Sequence, residues 1–390
     1  MDESTPNPRL SKNALRRLFL GVAIVLAFGA SFFGGAAYEK SRQQLDLSKF
    51  WDVYSLVKSN YVGDINKTDV VNGAIEGMVA GLGDPFSSYL TQDQSQNLNS
   101  ELSGQFEGIG AELTDKNGQV VVVAPITDSP AEKAGLKAND VIVAVDGKST
   151  DGQTLDQVVN EIRGTKGTTV KVTVTRGSQD APIDLTITRD SIQVKSVTWK
   201  MIGSVGYIDI SQFGDDTVNL ATQAVNELNA KNPKAMVIDL RNNPGGYLND
   251  VSPIAGMFIS PSVVVKEKYR AGMTDSISST AIPVMPNTPM YLLVNGGSAS
   301  AAEILAGALQ DYGRAKLVGA KTFGKGSVQN VIDLSDGSAL RITIAEWLTP
   351  KDRAINKVGL TPDIAVTGDK DITTGADPVL DKALQLANQN

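Results

Sequence analysis

Two short segments of this 390-residue chain carry side chains that could perform nucleophilic chemistry together. Residues 295–304 contain Ser300, and Lys325 follows within the glycine-rich residues 322–326; the chain contains no histidine. A serine hydroxyl is a weak nucleophile until a base takes its proton, so without imidazole the candidate bases are a carboxylate or a neutral lysine amine. The pair Ser300 and Lys325 therefore indicates nucleophilic catalysis by serine with lysine as the base.

Ser300 has two interpretations that its own segment leaves open. Residues 300–303 fit the S-x-x-E capping box, a pattern that begins many helices without any catalysis. As a nucleophile, Ser300 would stand at the start of a helix over residues 301–309, where free N–H groups and the helix dipole favour an anion. Ser298 is a rival nucleophile in the same loop.

Glycines in a second loop could complete an oxyanion hole. The short apolar run at residues 235–240 is typical of a strand covered on both faces, and Gly245 and Gly246 follow its end. Ligands of open α/β sheets collect outside the carboxyl ends of strands, where we expect both loops. The N–H of Ala301, joined by that of Gly246 or Gly245, could hold a tetrahedral intermediate, because glycine lets the backbone approach closely.

Lys325 also has a competing interpretation. Residues 319–325 fit the phosphate-binding pattern G-x-x-x-x-G-K, but Gly326 stands where that pattern needs Ser or Thr, and residues 327–334 indicate a strand instead of a helix. A lysine base must be neutral, so we expect Lys325 to be buried against apolar groups without a carboxylate partner, which lowers its pKa. An exposed, charged lysine is the alternative.

Three segments carry a family resemblance. They are residues 239–246, 297–304 and 325–329. Together they look like the carboxyl-terminal processing peptidases, also called tail-specific proteases, and the resemblance covers about residues 45–363. It does not depend on any single motif, since several occur in the family's order and spacing.

The resemblance implies roles for particular residues. The family's reactive serine follows an alanine, which selects Ser300 over Ser298, and its base matches Lys325. Gln329 would orient the amine of Lys325. The resemblance also implies a core similar to the crotonase and Clp-protease fold, and no cofactor. The family commonly has glycine in the turn that residues 351–353 form here, so this chain departs from the pattern in that loop.

A second unit, at residues 103–190, is predicted from β runs and two short helices. Thr154 and Gln157 form a capping box, and Gly164 ends the helix that follows. The segments that resemble a PDZ domain of the bacterial protease type are residues 106–111, 129–136 and 139–142.

The glycine-containing turn of this unit predicts a site for a peptide C-terminus. Gly108 and Gly110, on either side of Ile109, let successive N–H groups point into one concavity that can hold a carboxylate. The adjoining strand edge can add an extended peptide. Arg163 and Arg176 could supply positive charge, and the resemblance places Arg163 where the family has an arginine implicated in substrate sensing. A tight turn without a ligand is the alternative for the two glycines.

The N-terminal region predicts a membrane anchor. Residues 18–38 contain no charged side chain. The basic residues before them are Arg9, Lys12, Arg16 and Arg17. This length can span a bilayer once, with residues 1–17 in the cytoplasm and the remaining chain outside. A cleaved signal peptide, with residues 35–37 as its cleavage site, is the alternative and would give a secreted protein.

The predicted fold class is α/β, with the PDZ domain inserted before the peptidase core. The predicted order is a cytoplasmic tail (1–17), a transmembrane signal-anchor (18–38), an N-terminal helical segment (44–102), the PDZ domain (103–190), an α/β peptidase core (191–370) and a C-terminal helix or tail (371–390). The resemblance and the anchor together imply the bacterial cytoplasmic membrane, with the catalytic domain extracytoplasmic.

Composition argues against several classes of function. A net charge of −7 and a pI near 4.9 argue against nucleic acid as a partner. With neither histidine nor cysteine, only carboxylates could hold a metal, which argues against zinc and leaves a hard cation open. The lack of cysteine also excludes disulfides and thiol nucleophiles.

We therefore expect a membrane-anchored serine endopeptidase that captures free C-termini of extracytoplasmic proteins and cleaves near them. Its partners would be protein or peptide substrates, with a homo-oligomer or an adaptor protein as further partners. The alternatives are a catalytically inactive PDZ scaffold and an acyl-CoA enzyme of the crotonase type. Intact Ser300, Lys325 and Gln329 argue against the scaffold, and the anchor and PDZ domain argue against the acyl-CoA enzyme.

Overall fold

The computed structural model describes residues 46–116, 118–126, 128–177, 181–368 and 375–389. The chain divides into two compact units, residues 1–71 and residues 72–390. The first unit contains helix α1 (Ser48–Asn60), which has no buried residue. Its aromatic side chains contact one another edge to face, with ring centroids 5.2 Å apart between Phe50 and Trp51 and 6.1 Å apart between Trp51 and Tyr54.

The predicted membrane-spanning run at residues 18–38, like the predicted tail at residues 1–17, lies outside the described residues. Among the helices of the described ranges, none has the length and apolar character needed to cross a bilayer.

The helical prediction for residues 44–102 is confirmed for three helices and misses one strand. After α1 the chain forms α2 (Lys67–Ala80), strand β1 (Ser88–Leu90) and α3 (Gln92–Ser103). Strand β1 pairs antiparallel with residues 339–341, far along the chain. A three-residue strand carries too little periodicity to be recognised before its partner is known.

The predicted PDZ unit contains a six-stranded antiparallel sheet, a separate two-stranded pair and two helices. Its elements are β2 (Gln105–Gly108), β3 (Ala111–Lys116), β4 (Gln119–Pro125), α4 (Pro130–Lys133), β5 (Val141–Val145), β6 (Lys148–Ser149), α5 (Leu155–Ile162), β7 (Thr169–Thr175), β8 (Ile183–Thr188) and β9 (Asp190–Gln193). The sheet order is β3-β4-β5-β7-β8, with β6 on β5, while β2 pairs with β9. The capping box at Thr154 and Gln157 is confirmed, and α5 packs its apolar face on the sheet through Val158 and Ile162.

The core after residue 191 alternates strands with helices, as predicted. Its elements are β10 (Val197–Ile202), β11 (Val205–Ile210), α6 (Thr217–Asn229), β12 (Ala235–Asp239), α7 (Val251–Gly256), β13 (Ser262–Tyr269), β14 (Thr274–Ser279), β15 (Met290–Val294), α8 (Ala301–Asp311), β16 (Lys316–Gly319), β17 (Ser327–Asp333), β18 (Ala339–Leu348), β19 (Ile364–Ala365) and α9 (Pro378–Ala387). The main sheet has the order β10-β11-β12-β15-β16-β19, and its strands from β11 to β19 are parallel.

Both faces of this sheet are covered. Met236 and Ile238 of β12 lie in the large core with α6, α7 and α8, while Val237 lies in a separate cluster with α9. Successive side chains of a strand point to opposite faces, so a strand covered on both sides must be apolar at every position. This requirement explains why β12 and β15 are wholly buried.

Pairing between β12 and β15 sets the position of the candidate site. The two strands are direct neighbours and parallel, with Asp239 opposite Leu293. Their carboxyl ends therefore meet at the same edge of the sheet, and the loops at residues 240–246 and 295–300 begin there.

A second sheet brings the lysine loop to this edge. Its order is β1-β18-β13-β14, with β17 paired along β18. Residues 327–333 form strand β17, as predicted, so the phosphate-binding interpretation of residues 319–326 is wrong. A phosphate loop must lead into a helix, because the helix N-terminus supplies the donors.

The turn at residues 351–353, which lacks the glycine common in the family, contains a residue in the left-handed conformation that glycine favours. Asp352 has φ 61°, and its N–H donates to Thr349 O at 2.9 Å. Aspartate enters the left-handed region more readily than most residues do, so the turn forms without glycine. The Asp352 carboxylate also pairs with Lys266 at 2.7 Å.

Candidate active site

Ser300 stands at a sharp turn between β15 and α8. It has φ 52° and ψ −119°, outside the regions that residues other than glycine usually occupy. A conformation of this kind costs about 1–3 kcal/mol, so the surrounding structure must hold it. The Ser300 carbonyl accepts from the Ile304 N–H at 3.0 Å, and the Ser300 N–H donates to Glu303 Oε2 at 3.1 Å.

Glu303 connects the serine loop to the lysine loop. Its side chain has no solvent exposure, and Oε2 accepts from the N–H of both Ser300 (3.1 Å) and Lys325 (2.9 Å). Oε1 accepts from the Thr322 hydroxyl and from the Gly324 N–H at 2.8 Å. Burial raises the pKa of Glu303, while these four hydrogen bonds act to lower it. The S-x-x-E pattern predicted only the start of a helix. The contacts of Glu303 with residues 322–325 were not predicted from the sequence.

Lys325 is half-buried and meets an aromatic ring instead of a carboxylate. Its Nζ lies 5.3 Å from the ring centroid of Phe86, and no ion pair joins it to a carboxylate in the described part of the chain. Burial lowers the pKa of Lys325, and the charge of Arg341 lowers it further, against Asp84 and Glu303. The direction of the pKa shift agrees with the prediction, whereas the surroundings combine one aromatic ring with three charged groups.

The two candidate catalytic side chains are not hydrogen-bonded to each other in this structure. Although Glu303 Oε2 accepts from both of their backbones, no hydrogen bond joins Ser300 Oγ to Lys325 Nζ. Gln329, which was predicted to orient the amine, donates instead to Ser327 Oγ at 2.8 Å and Thr343 Oγ1 at 3.3 Å. Its role toward Lys325 stays a prediction.

Gly245 lies directly against the serine. A Cβ atom on Gly245 would come within 2.6 Å of Ser300 Cβ and 3.0 Å of the Ala301 nitrogen, and φ is +100°. Glycine is therefore required by close approach as well as by conformation. Its N–H donates to Asn243 Oδ1 at 2.8 Å, so this donor is already engaged in the structure.

Gly246 and Ala301 have the N–H groups that an oxyanion hole needs. The flanking bonds, Phe213 N–H to Gly245 O and Tyr247 N–H to Phe213 O, leave the Gly246 N–H without an acceptor among the residues the structure describes. Ala301 is the first residue of α8, where an N–H has no intrahelical acceptor. A Cβ on Gly246 would come within 1.9 Å of Phe213 O, so only glycine fits there.

Ser298 is a structural residue of this loop. Its side chain is fully buried, and its hydroxyl donates to Leu240 O at 2.7 Å and accepts from the Asn295 N–H at 3.0 Å. The Asn295 side chain in turn bonds Asn242, both as acceptor and as donor, at 2.9 Å. These bonds join the two loops and leave the Ser298 hydroxyl unable to act as the nucleophile.

A carboxyl group with a raised pKa lies a few residues after Gly245 and Gly246. Burial raises the pKa of Asp250 to about 6, and the charges of Asp215 and Asp216 add to the shift. Asp250 belongs to the 3₁₀-helix Leu248–Asp250 that follows Tyr247. Any pH profile of this site must therefore separate Asp250 from Lys325.

The predicted carboxylate site lies between β2 and β3, at residues 108–110. The carbonyls of Ile109 and Gly110 accept from the N–H groups of Ala131 and Ile126, at 2.8 and 2.9 Å, and fix the turn. Ile109 is buried in the core of the unit. In the sheet order, β3 follows the turn as an edge strand, and α5 packs beside it. An extended peptide could pair with an edge strand of this kind.

Arg163 and Arg176, the two arginines considered for the carboxylate site, differ in their partners. Arg176 makes a bidentate pair with Asp140, at 2.7 Å for both bonds, and donates to Gly135 O at 2.8 Å. The suggestion that Arg176 offers charge to a ligand is therefore wrong, because its guanidinium is already paired. Arg163 follows α5 and lies over the Phe106 ring, 5.8 Å from its centroid.

A cavity of about 1170 Å³ lies beside Arg163. The residues that line it come from α3, the PDZ unit and the core, and include Ser100, Phe106, Arg163, Gln212, Asp215 and Tyr247. Tyr247 directly follows Gly246 in the chain, whereas neither Ser300 nor Lys325 lines this cavity.

Comparison with known families identifies three regions of the chain. Residues 204–366 match the model of peptidase family S41, residues 121–176 match the PDZ domain, and residues 33–94 match the N-terminal domain of the activating protease CtpB.

Individual relatives agree with these matches. The chain is 42% identical over 325 residues to a "Probable CtpA-like serine protease" of Staphylococcus aureus (strain MRSA252), covering 83% of this chain and 65% of that protein. It is 38% identical over 376 residues to a protein of the same description from Staphylococcus haemolyticus (strain JCSC1435), covering 94% and 75%. Among solved structures, a photosystem II D1 C-terminal processing protease is similar, with 32% identity, a TM-score of 0.53 and coverage of 83% and 89%.

The chain thus spans 65% of the length of the first of these relatives.

Replacing Glu303 with Gln should destabilise the protein by about 2–4 kcal/mol, because the amide NH₂ of glutamine would face two of the four donors and leave them unpaired. Urea unfolding of Glu303→Gln measures this loss. The exposed Glu76→Gln on α2 is the control and should unfold as the wild type does. An unfolding free energy within about 0.5 kcal/mol of wild type would mean that the carboxylate does not hold the two loops.

Proposed function

We propose that this chain, which belongs to peptidase family S41, is a serine endopeptidase that cleaves near the C-termini of proteins, with Ser300 as nucleophile and Lys325 as general base. The observation that carries the proposal is the shared carboxylate of Glu303, which accepts from the backbones of both residues. The lowered pKa of Lys325 is a second support, because a neutral amine is needed to take a proton.

In the proposed reaction, the neutral Lys325 amine takes the proton of Ser300 Oγ as that oxygen attacks the carbonyl carbon of the scissile bond. The carbonyl oxygen becomes an oxyanion and receives hydrogen bonds from the N–H groups of Gly246 and Ala301. The Lys325 ammonium then gives its proton to the leaving amine, and the acyl group stays on Ser300. Water then attacks the ester carbonyl as it gives a proton to Lys325; the bond from the acyl carbon to Ser300 Oγ breaks, the Lys325 ammonium returns the proton to Oγ, and the product leaves with a new carboxyl terminus.

The side chains must rearrange before this reaction. Lys325 Nζ has to leave the ring of Phe86 and reach Ser300 Oγ, and the Gln329 amide has to exchange its bonds to Ser327 and Thr343 for one to Lys325. Both changes are side-chain rotations, since the Lys325 backbone stays fixed by Glu303 and by the Trp347 indole N–H, which donates to the Lys325 carbonyl at 2.9 Å. We therefore assign the described structure to a resting form.

Substrate capture is proposed for the PDZ domain at residues 103–190. The turn at residues 108–110 would hold the terminal carboxylate, and the peptide would pair with the edge of β3. The cavity beside Arg163, which Tyr247 also lines, supports a path for the captured tail toward Gly246.

We also propose a fold relationship, a membrane anchor and further partners for the whole protein. The core at residues 191–370 would be related to the crotonase and Clp-protease fold, and residues 18–38 would anchor the chain in a bacterial membrane with the catalytic domain outside. The uncharged run and its basic flank support the anchor. A homo-oligomer or an adaptor remains a proposed partner.

Labelling with a fluorophosphonate tests the nucleophile. Ser300→Ala should take up no label and cleave no peptide, because the attacking oxygen is gone. Ser298→Ala should still be labelled, although loss of its two buried hydrogen bonds should lower stability by about 1–3 kcal/mol. Labelling of Ser300→Ala at the wild-type rate would contradict the assignment, and an unlabelled wild type would favour the inactive PDZ scaffold.

A pair of peptides that differ only at the terminus tests tail capture. The free-acid peptide should be cleaved faster than its C-terminal amide, by about tenfold or more, since the amide lacks the charge that the N–H groups would receive. Arg163→Gln should reduce this preference if Arg163 contributes charge, whereas Lys148→Gln, an exposed cation elsewhere in the same domain, should keep it. Equal cleavage of both peptides by the wild type would show that the terminus is not recognised.

A further inference from the structure

The ring of Phe86 is an unexpected neighbour of Lys325. Phe86 lies 239 positions earlier in the chain, yet Lys325 Nζ is 5.3 Å from its ring centroid. An ammonium within about 6 Å of a ring face is attracted by the negative charge of that face. A neutral amine gains little from the same position.

The loop that carries Phe86 is held firmly. The Asp84 carboxylate accepts from the Phe86 N–H at 3.1 Å and from the Ser87 hydroxyl at 2.6 Å, and Ser87 Oγ accepts from the Thr343 N–H at 3.0 Å. Directly after this loop, β1 pairs with the first residues of β18. The backbone that carries the ring is therefore positioned by hydrogen bonds on both sides.

The same strand also holds Gln329 away from Lys325. Thr343 of β18 accepts from the Gln329 amide through Oγ1, while its N–H donates to Ser87. Thr343 therefore contacts both the Gln329 amide and the loop that carries the Phe86 ring.

Three charged groups besides the ring act on Lys325. Arg341 on β18 repels the ammonium, and Asp84 before β1 and Glu303 on α8 attract it, while burial disfavours the charge most strongly. The ring face opposes burial and Arg341, because it favours the protonated amine.

We propose that Phe86 is a positioning residue for Lys325, whose ring holds the protonated amine away from Ser300 and releases the neutral amine to act as the base. The proposal rests on the proposed function only in naming Lys325 the base. The ring contact and its effect on the charge of Lys325 can be measured without any cleavage.

The test compares Phe86→Leu, which keeps apolar cover but removes the ring, with Phe86→Tyr, which keeps the ring. The acidic limb of kcat/KM should move to lower pH by about 0.5–1.5 units in Phe86→Leu, since the protonated amine loses an attraction. Phe86→Tyr should keep the wild-type limb. All variants are measured in the Asp250→Asn background, which removes the titration of Asp250.

A second readout does not need activity. The Cε chemical shift of Lys325, assigned by its absence in Lys325→Arg, reports the titration of the amine directly. It should move in the same direction in Phe86→Leu, and urea unfolding of each variant confirms that it is folded under the assay conditions.

The outcomes separate the two proposals. A shifted lysine titration in Phe86→Leu without cleavage by the wild type would support the ring contact and overturn the peptidase function. A lysine titration that stays at the wild-type pH in a folded Phe86→Leu would overturn the inference, and a fall in kcat with an unchanged limb would show that Phe86 serves only in packing.

Discussion

The carboxylate of Glu303 is the constraint on which the site depends. A carboxylate with no solvent exposure loses its hydration, and this protein replaces that hydration with four donors from two separate loops. One oxygen accepts from Ser300 and Lys325 together. The distance between the two backbones is therefore set by a single atom, and the unusual φ of Ser300 is maintained by a contact that would be lost if the loops separated.

The parallel sheet makes that contact possible. Neighbouring strands β12 and β15 end at one edge, and the buried hydroxyl of Ser298 joins their loops by donating to Leu240 O. Gly245 and Gly246 can then lie against Ser300 and Phe213, where any Cβ would collide. Backbone N–H groups that are fixed before substrate arrives need no reorganisation as charge develops, which is the main advantage of an oxyanion hole. The chemistry proposed here is thus assigned to a rigid backbone and two side chains that must still rotate.

The sequence predicted the local parts of this site well. Apolar runs covered on both faces indicated β12 and β15, the capping pattern indicated the start of α8, and the strand after Lys325 ruled out a phosphate loop. Interactions between distant residues could not be predicted in this way. The contact of Phe86 with Lys325 and the pairing of Arg176 with Asp140 both depend on tertiary structure, which periodicity and spacing do not encode. Glu303 was visible as part of a motif, but only the folded chain shows that it also binds the lysine loop.

The central claim is that Lys325 acts as a base, and the most direct measurement compares single-turnover cleavage by Lys325→Arg and Lys325→Ala across pH. A guanidinium keeps positive charge but does not lose its proton in this range, so it cannot accept the proton of Ser300. The account predicts that both variants lose activity to a similar extent, by about 10²–10⁴-fold, while unfolding as stable proteins. Substantial cleavage by Lys325→Arg near neutral pH, with Lys325→Ala inactive, would show that the site needs only a positive charge and would contradict the account.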